Sequence, residues 1–140
     1  MLQSVKIGVR NPEGKYLLSR REDKEGVYAR GLWDTIGGKV EAGESPYMAL
    51  LREIGEEAQG IKVSGIKFLD KGIVEDIIGG CPLKTELFMF LGRTATEIRD
   101  IRFTESQEAG FFRLDEIIKM GTVPYLKHFL TKYRDRLESF

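Results

Sequence analysis

Residues 46–58 have few conformations open to them besides a helix. Ser45 is a good N-cap, since its hydroxyl accepts from the free amides of a first turn, Pro46 suits the first helical position, and Gly60 is a natural stop. At about 100° per residue, Tyr47, Leu50, Leu51, Ile54 and Ala58 gather on one arc, and Glu53, Glu56 and Glu57 fill a neighbouring arc of about 100°. One side is built to pack and the other collects negative charge, so the rest of the chain has to supply a surface for the apolar side.

The acidic side is not what stability alone would select. Glu53 and Glu57 are a like-charged i,i+4 pair and Glu53 and Glu56 an i,i+3 pair, each costing about 0.2–0.5 kcal/mol on a bare helix. Acids sit poorly near a helix C-terminus, and Gly55 in the same turn adds a cost of about 1 kcal/mol relative to alanine. Two readings are open at this point. One is a solvated acidic face; the other is a site where a hard divalent cation reverses the electrostatic penalties by drawing carboxylate oxygens together.

The surrounding spacing separates them. Gly38, five residues, Glu44, seven residues, Arg52-Glu53-Ile54, one residue, then Glu56-Glu57 resembles the Nudix box, the signature of the Nudix hydrolase (MutT-like) family. The resemblance departs at the helix exit, where a glycine-aliphatic pair is expected one residue after the second glutamate and Gly60-Ile61 comes one residue late. Ile36 also stands where many members have proline before the paired glycines.

The resemblance implies an α+β fold, an α/β/α sandwich with a mixed β-sheet, and Mg²⁺-dependent hydrolysis of a pyrophosphate bond, with Mn²⁺ as the alternative ion. Carried over residue by residue, it implies Glu56 and Glu57 as principal metal ligands, Glu53 as ligand or general base, and Gly37 as a backbone ligand. Arg52 would orient Glu53 or a neighbouring acid through a charge-assisted hydrogen bond, while Gly38 and Glu44 would shape and brace the loop. Many members take one more acid from a loop late in the chain; Glu105 and Glu108 are the candidates, with Glu105 preferred. Lys39 and Arg30 flank the box and are the first candidates for substrate phosphates, with Arg20 and Arg21 behind them.

At 140 residues the chain is the size of one domain, 1–140, able to bury a core without a disulfide. Lys plus Arg and Asp plus Glu balance at 22 each, so no broad electrostatic footprint for duplex nucleic acid or a membrane surface exists, and the expected partner is a small nucleotide. A single cysteine, Cys81, beside a Gly-Gly-Cys-Pro turn, fits a reducing compartment. With no membrane-length apolar run and no signal-peptide pattern, a cytoplasmic monomer or homodimer is expected.

Elsewhere, Val5, Ile7 and Val9 alternate with polar residues or glycine, a strand with one buried face, and Asn11-Pro12-Glu13-Gly14 fits a type I turn into a second strand at residues 16–21. Residues 22–31, with Tyr28 and Arg30, read as a loop able to overhang the acidic helix. Residues 61–76 read as strand broken at Gly65 and Gly72, residues 77–83 as a turn, and Leu87 to Leu91 as a central strand apolar on both faces. A polar irregular stretch, a last strand at 109–114, a short helix at 115–120 and an amphipathic helix from Pro124 complete the chain.

The only histidine, His128, lies off the apolar stripe of that last helix, which removes Ser-His and Cys-His nucleophile schemes. Two rival functions remain: a Nudix-fold binding or regulatory module without turnover, and an enzyme like isopentenyl diphosphate isomerase. The first commonly loses box acids that this chain keeps; the second uses a cysteine ahead of the box, whereas Cys81 lies behind it. The Gly-Gly-Lys-Val-Glu run looks like that of members that sanitise oxidised nucleotides.

Overall fold

Val5, Ile7 and Val9 are fully buried along β1 (Leu2–Arg10), the strand about which the sheet is arranged. Gly14 donates its N–H to the Asn11 carbonyl at 3.0 Å, and Asn11 Oδ1 accepts from the amides of Glu13 and Lys15, so the turn forms as its residues dictate. It leads into β2 (Tyr16–Arg21), yet β1 and β2 pair only at Arg10 and Tyr16. β2 then swings away to lie between β3 (Trp33–Asp34) and β9 (Ser106–Phe112), both antiparallel to it. The vacated edge of β1, from Ser4 to Ile7, is taken by β4 (Ile36–Lys39). The sheet therefore forks beside β1, and the chain crosses the fork at Thr35.

On its other edge β1 runs parallel to β7 (Cys81–Arg93), and β6 (Ser64–Ile78) lies antiparallel beyond it, so the sheet is mixed. The computed structural model describes residues 1–26, 29–78 and 81–140, with residues 76–78, 81–83 and 107 described by their backbone alone. Tyr28, the Gly79-Gly80 pair and the side chain of Cys81 lie outside that description.

α1 (Pro46–Glu57) lies on one face of the sheet, with Ser45 Oγ accepting from the Met48 amide at 3.2 Å and Ala58 as its C-cap. Ala49, Leu50, Ile54 and Ala58 pack with Val5, Ile7, Val9, Leu17, Ile36 and Phe90. Removing Leu50 wholly from water contributes about 1.5–3 kcal/mol before packing is counted. Tyr47 and Leu51, expected on the packed arc, stay half exposed and outside the core that Ala49, Leu50, Ile54 and Ala58 enter. On the opposite face α2 (Leu114–Ile117), α3 (Pro124–Lys132) and α4 (Arg134–Ser139) cover Tyr16, Leu18 and Leu91. The result is an α/β/α sandwich.

Several expectations need correction. The face of β1 opposite Val5, Ile7 and Val9 is buried only at Gly8, where Leu91 and Tyr16 lie beside the space a Cβ would take, while Ser4 and Lys6 stay partly exposed. Residues 77–83 are mostly strand, since β6 reaches Ile78 and β7 begins at Cys81. Gly65, at φ +60°, does lie in a break of register, but Gly72 pairs regularly with Leu87, and the second irregularity falls between Phe68 and Asp70. The last strand begins at Ser106 rather than 109, because its partner β2 extends to Arg21. The C-terminal helix breaks at Tyr133, yet Leu126, Leu130 and Leu137 still reach one core.

The displaced glycine has a structural use. α1 stops at Glu57, and Ala58–Gln59 forms a two-residue strand, β5, paired with β8 (Arg102–Phe103) before Gly60 turns the chain at φ +92°.

Candidate active site

The glycine turn and the acidic helix meet at two points of close contact. The Gly37 N–H donates to Glu57 Oε2 at 2.9 Å, tying the last turn of α1 to β4. Glu53 lies over Gly38 so closely that a Cβ on residue 38 would stand 2.5 Å from Glu53 Oε1. Gly37 faces the other way, where a Cβ would fall 1.9 Å from the Val5 carbonyl oxygen. Both glycines are therefore required by neighbours.

Arg52 organises the polar side of the helix. Its Nε and Nη2 donate to Glu44 at 2.8 and 2.9 Å, its Nη1 to Glu53 at 2.9 Å and to Glu56 at 3.3 Å, and its Nη2 also reaches the Lys39 carbonyl at 2.9 Å. Glu44 accepts the Glu41 amide as well, and with the bidentate Arg52 contact this lowers its pKa to about 2. The guanidinium is in turn held more firmly protonated by Glu44 and Glu53.

Burial acts on the inner acids in the opposite sense. It raises Glu57 to about 7, against the nearby Lys6 ammonium and the Gly37 amide, which favour the carboxylate. Glu53 is raised by burial too, opposed by its bond from Arg52.

Glu53 and Glu57 line a cleft of about 380 Å³ together with Gly37, Gly38, Lys39 and Glu105. Glu105 and Glu57 also line an adjoining cleft of about 270 Å³, where Arg21, Glu22 and Lys24 stand. Not every residue named from sequence is there. Glu56 is 61% exposed and turned to Arg52, and Glu56, Glu44 and Arg52 line neither cleft. Glu108 pairs with Arg20 at 3.1 Å, and Arg30 stands near Asp23 at 3.7 Å, away from the residues that line the two clefts. Among the described residues no three acidic, histidine or cysteine side chains are already drawn together as a metal cage.

The cleft floor was not visible in sequence. Lys6 Nζ reaches Asp34 Oδ2 at 2.8 Å, with Arg21 3.5 Å from the same oxygen. Asp34 Oδ1 accepts from the Tyr125 hydroxyl at 2.5 Å and from the Thr35 amide at 2.7 Å, and Thr35 Oγ1 lies 2.9 Å from the Tyr125 hydroxyl. Burial, and then the Asp34 charge, push the Tyr125 hydroxyl well above its usual range, which keeps it a donor. Leu2, Val74, Leu87, Val123 and Pro124 add apolar wall. Asp34 reaches this place because the chain crosses the fork of the sheet there, and Tyr125 because α3 packs below it. The one hint in sequence was Lys6 on the less apolar face of a strand, the face that here opens on the cleft.

An α/β/α sandwich in which a glycine turn and a helix deliver carboxylates to an open cleft is the architecture of the pyrophosphohydrolases that carry the Nudix box. The model of the NUDIX domain matches residues 2–133, and the chain belongs to that family. Among solved structures, it is similar to the MutT protein from Methanosarcina mazei Go1, with 25% identity, a TM-score of 0.72, and 96% of this chain and 94% of that one covered. It is also similar to the NUDIX domain of Shewanella oneidensis NrtR complexed with ADP ribose, with 16% identity, a TM-score of 0.76, and coverage of 98% and 88%, a likeness of fold. A curated relative, an octanoyltransferase of Myxococcus xanthus, is 42% identical over 65 residues, 44% of this chain; the match spans 17% of that protein's length. Among the described residues no helix is long and apolar enough to cross a membrane.

Proposed function

We propose that this chain hydrolyses a pyrophosphate bond in a nucleoside diphosphate linked to another group, a nucleoside triphosphate cleaved to monophosphate and pyrophosphate being one such substrate. The observation that carries the reading is that Glu53 and Glu57, from the acidic side of α1, line one cleft with Gly37 and Gly38 of the glycine turn. The donor set is all oxygen, which suits Mg²⁺ or Mn²⁺. Glu53, Glu56, Glu57 and the Gly37 carbonyl would hold the ion, which when bound neutralises charge on the phosphates.

This chain's own residues supply the rest. Glu53 or Glu105 takes the proton of the attacking water, Arg52 holds Glu53 in place, and Lys39 at the cleft edge meets phosphate oxygens. The apolar wall and the Lys6–Asp34–Tyr125 floor receive the remainder of the nucleotide.

Chromatographic detection of nucleoside monophosphate, together with pyrophosphate or the phosphorylated second product, on a nucleotide panel with and without Mg²⁺ or Mn²⁺ tests the reading. Metal-dependent formation of these products is expected, with Glu53→Gln lowering turnover by about 10² to 10⁴ and Glu105→Gln by about tenfold or more. Binding of nucleotides without product from any of them would make the chain a binding module instead.

A further inference from the structure

Glu105 reaches the cleft from a segment more than forty residues beyond α1, and its place there depends on one small residue. The last turn of a helix leaves carbonyls without intrahelical partners. In α1 two of these are taken by Thr104: its Oγ1 donates to the Glu56 carbonyl at 2.9 Å and its N–H to the Glu57 carbonyl at 3.3 Å. The residues just before Thr104 are fixed to the same helix exit, since Phe103 pairs with Ala58 and Arg102 with Gln59. Gly60 lets the exit fold under the loop, where a Cβ would meet the Asp100 carbonyl at 2.7 Å. Just after Glu105, Ser106 pairs with Arg21. Glu105 is thus the single residue between a segment hooked to the helix and a segment built into the sheet.

We infer that Thr104 is a positioning residue, fixing the Glu105 carboxylate relative to Glu56 and Glu57 so that the acids of helix and loop form one rigid set. The one-residue delay of Gly60 belongs to the same device, because the two residues between Glu57 and Gly60 are the ones that pair with β8. Thr104 is exposed, so its hydroxyl adds nothing to the core, and its removal leaves the loop held by a long amide bond and a two-residue ladder. In its catalytic consequence the inference rests on the hydrolase reading.

The test compares Thr104→Val and Thr104→Ser, each alone and combined with Glu105→Gln. Misplacement of an acid by about 1 Å can cost up to 10²-fold, so Thr104→Val should lower kcat by about tenfold while KM stays within about twofold, and Thr104→Ser should keep the activity. In the Glu105→Gln background Thr104→Val should cost nothing further. Unchanged kcat in Thr104→Val, or an equal loss with and without Glu105, would overturn the inference. If the unmodified chain forms nucleoside monophosphate from no nucleotide of the panel, the hydrolase reading falls by itself and amide hydrogen exchange decides on the hook. Faster exchange at residues 103–105 in Thr104→Val but not in Thr104→Ser upholds it, and equal exchange in all three proteins overturns it.

Discussion

Gly38 and the carboxylate of Glu53 compete for one space: a methyl group on residue 38 would lie 2.5 Å from Glu53 Oε1 and 2.6 Å from its Cδ. The neighbour that must yield is the end of a flexible side chain, not backbone. At Gly37 the obstacle is instead the Val5 carbonyl, fixed in the middle of the sheet. Gly38→Ala should therefore fold with nearly unchanged thermal stability but lose turnover by about 10²-fold, because Glu53 is displaced. Gly37→Ala should be destabilised by about 1–3 kcal/mol or more, as overpacking against rigid structure is. Unfolding curves and kcat on the two proteins check this; similar behaviour of both would refute the distinction.

Arg52 fits its place through the planar fork of its guanidinium. Lysine keeps the charge but cannot bond Glu44 twice while also reaching Glu53 and the Lys39 carbonyl. Arg52→Lys is expected to lower kcat by about one to two orders of magnitude. Thermal stability should move little, because the pairs lie near solvent. Glu44, now at about 2, should titrate closer to an ordinary carboxylate, which carbon-detected NMR can follow.

Glu57 links acidity to stability in the metal-free protein. Its pKa rises on folding from 4.5 to about 7, so the folded chain binds more protons than the unfolded chain between those values. Its stabilising contribution is complete below about pH 4.5 and disappears as pH climbs through about 7. Without divalent ions, melting temperature should fall across that window relative to Glu57→Gln. Saturating Mg²⁺ should flatten the fall by favouring the carboxylate. A pH profile identical in both proteins would show that Glu57 titrates normally.

The helix could be read from sequence because its determinants are local: Ser45, Pro46, the spacing of Leu50 and Ile54, and the acids between them need no distant partner. The strand limits at residues 77–83 and the break at Tyr133 could not, since ladder extension and helix docking depend on residues far away in the chain. The same holds inside the candidate site. Gly37, Gly38, Glu53 and Glu57 belong to one contiguous segment and their proximity followed from it. Glu105 is preferred over Glu108 in sequence, but only the pairing of β9 with β2, which sets Glu108 opposite Arg20, separates them physically. Arg30 flanks the box in sequence, but the loop carries it to Asp23. Lys6, Asp34 and Tyr125 come together only through the fork in the sheet and the docking of α3, which no spacing encodes.

That floor supplies the last prediction, an asymmetry between two halves of one ion pair. Asp34 is 5% exposed and cannot turn to water, whereas Lys6 stands where its strand meets the cleft. Lys6→Met leaves a buried carboxylate with the Tyr125 and Thr35 donors and with Arg21 at 3.5 Å. Breaking such a pair from one side costs about 3–5 kcal/mol when nothing else compensates, so with those partners retained about 2–3 kcal/mol is expected. Asp34→Asn keeps an acceptor for Tyr125 and lets the Lys6 ammonium swing into the cleft, so its cost should be smaller. Combining the two should give a protein more stable than Lys6→Met alone, because the uncompensated charge is gone. Urea unfolding of the three proteins measures the order, and a Lys6→Met variant as stable as the unmodified chain would show that Arg21 alone neutralises Asp34.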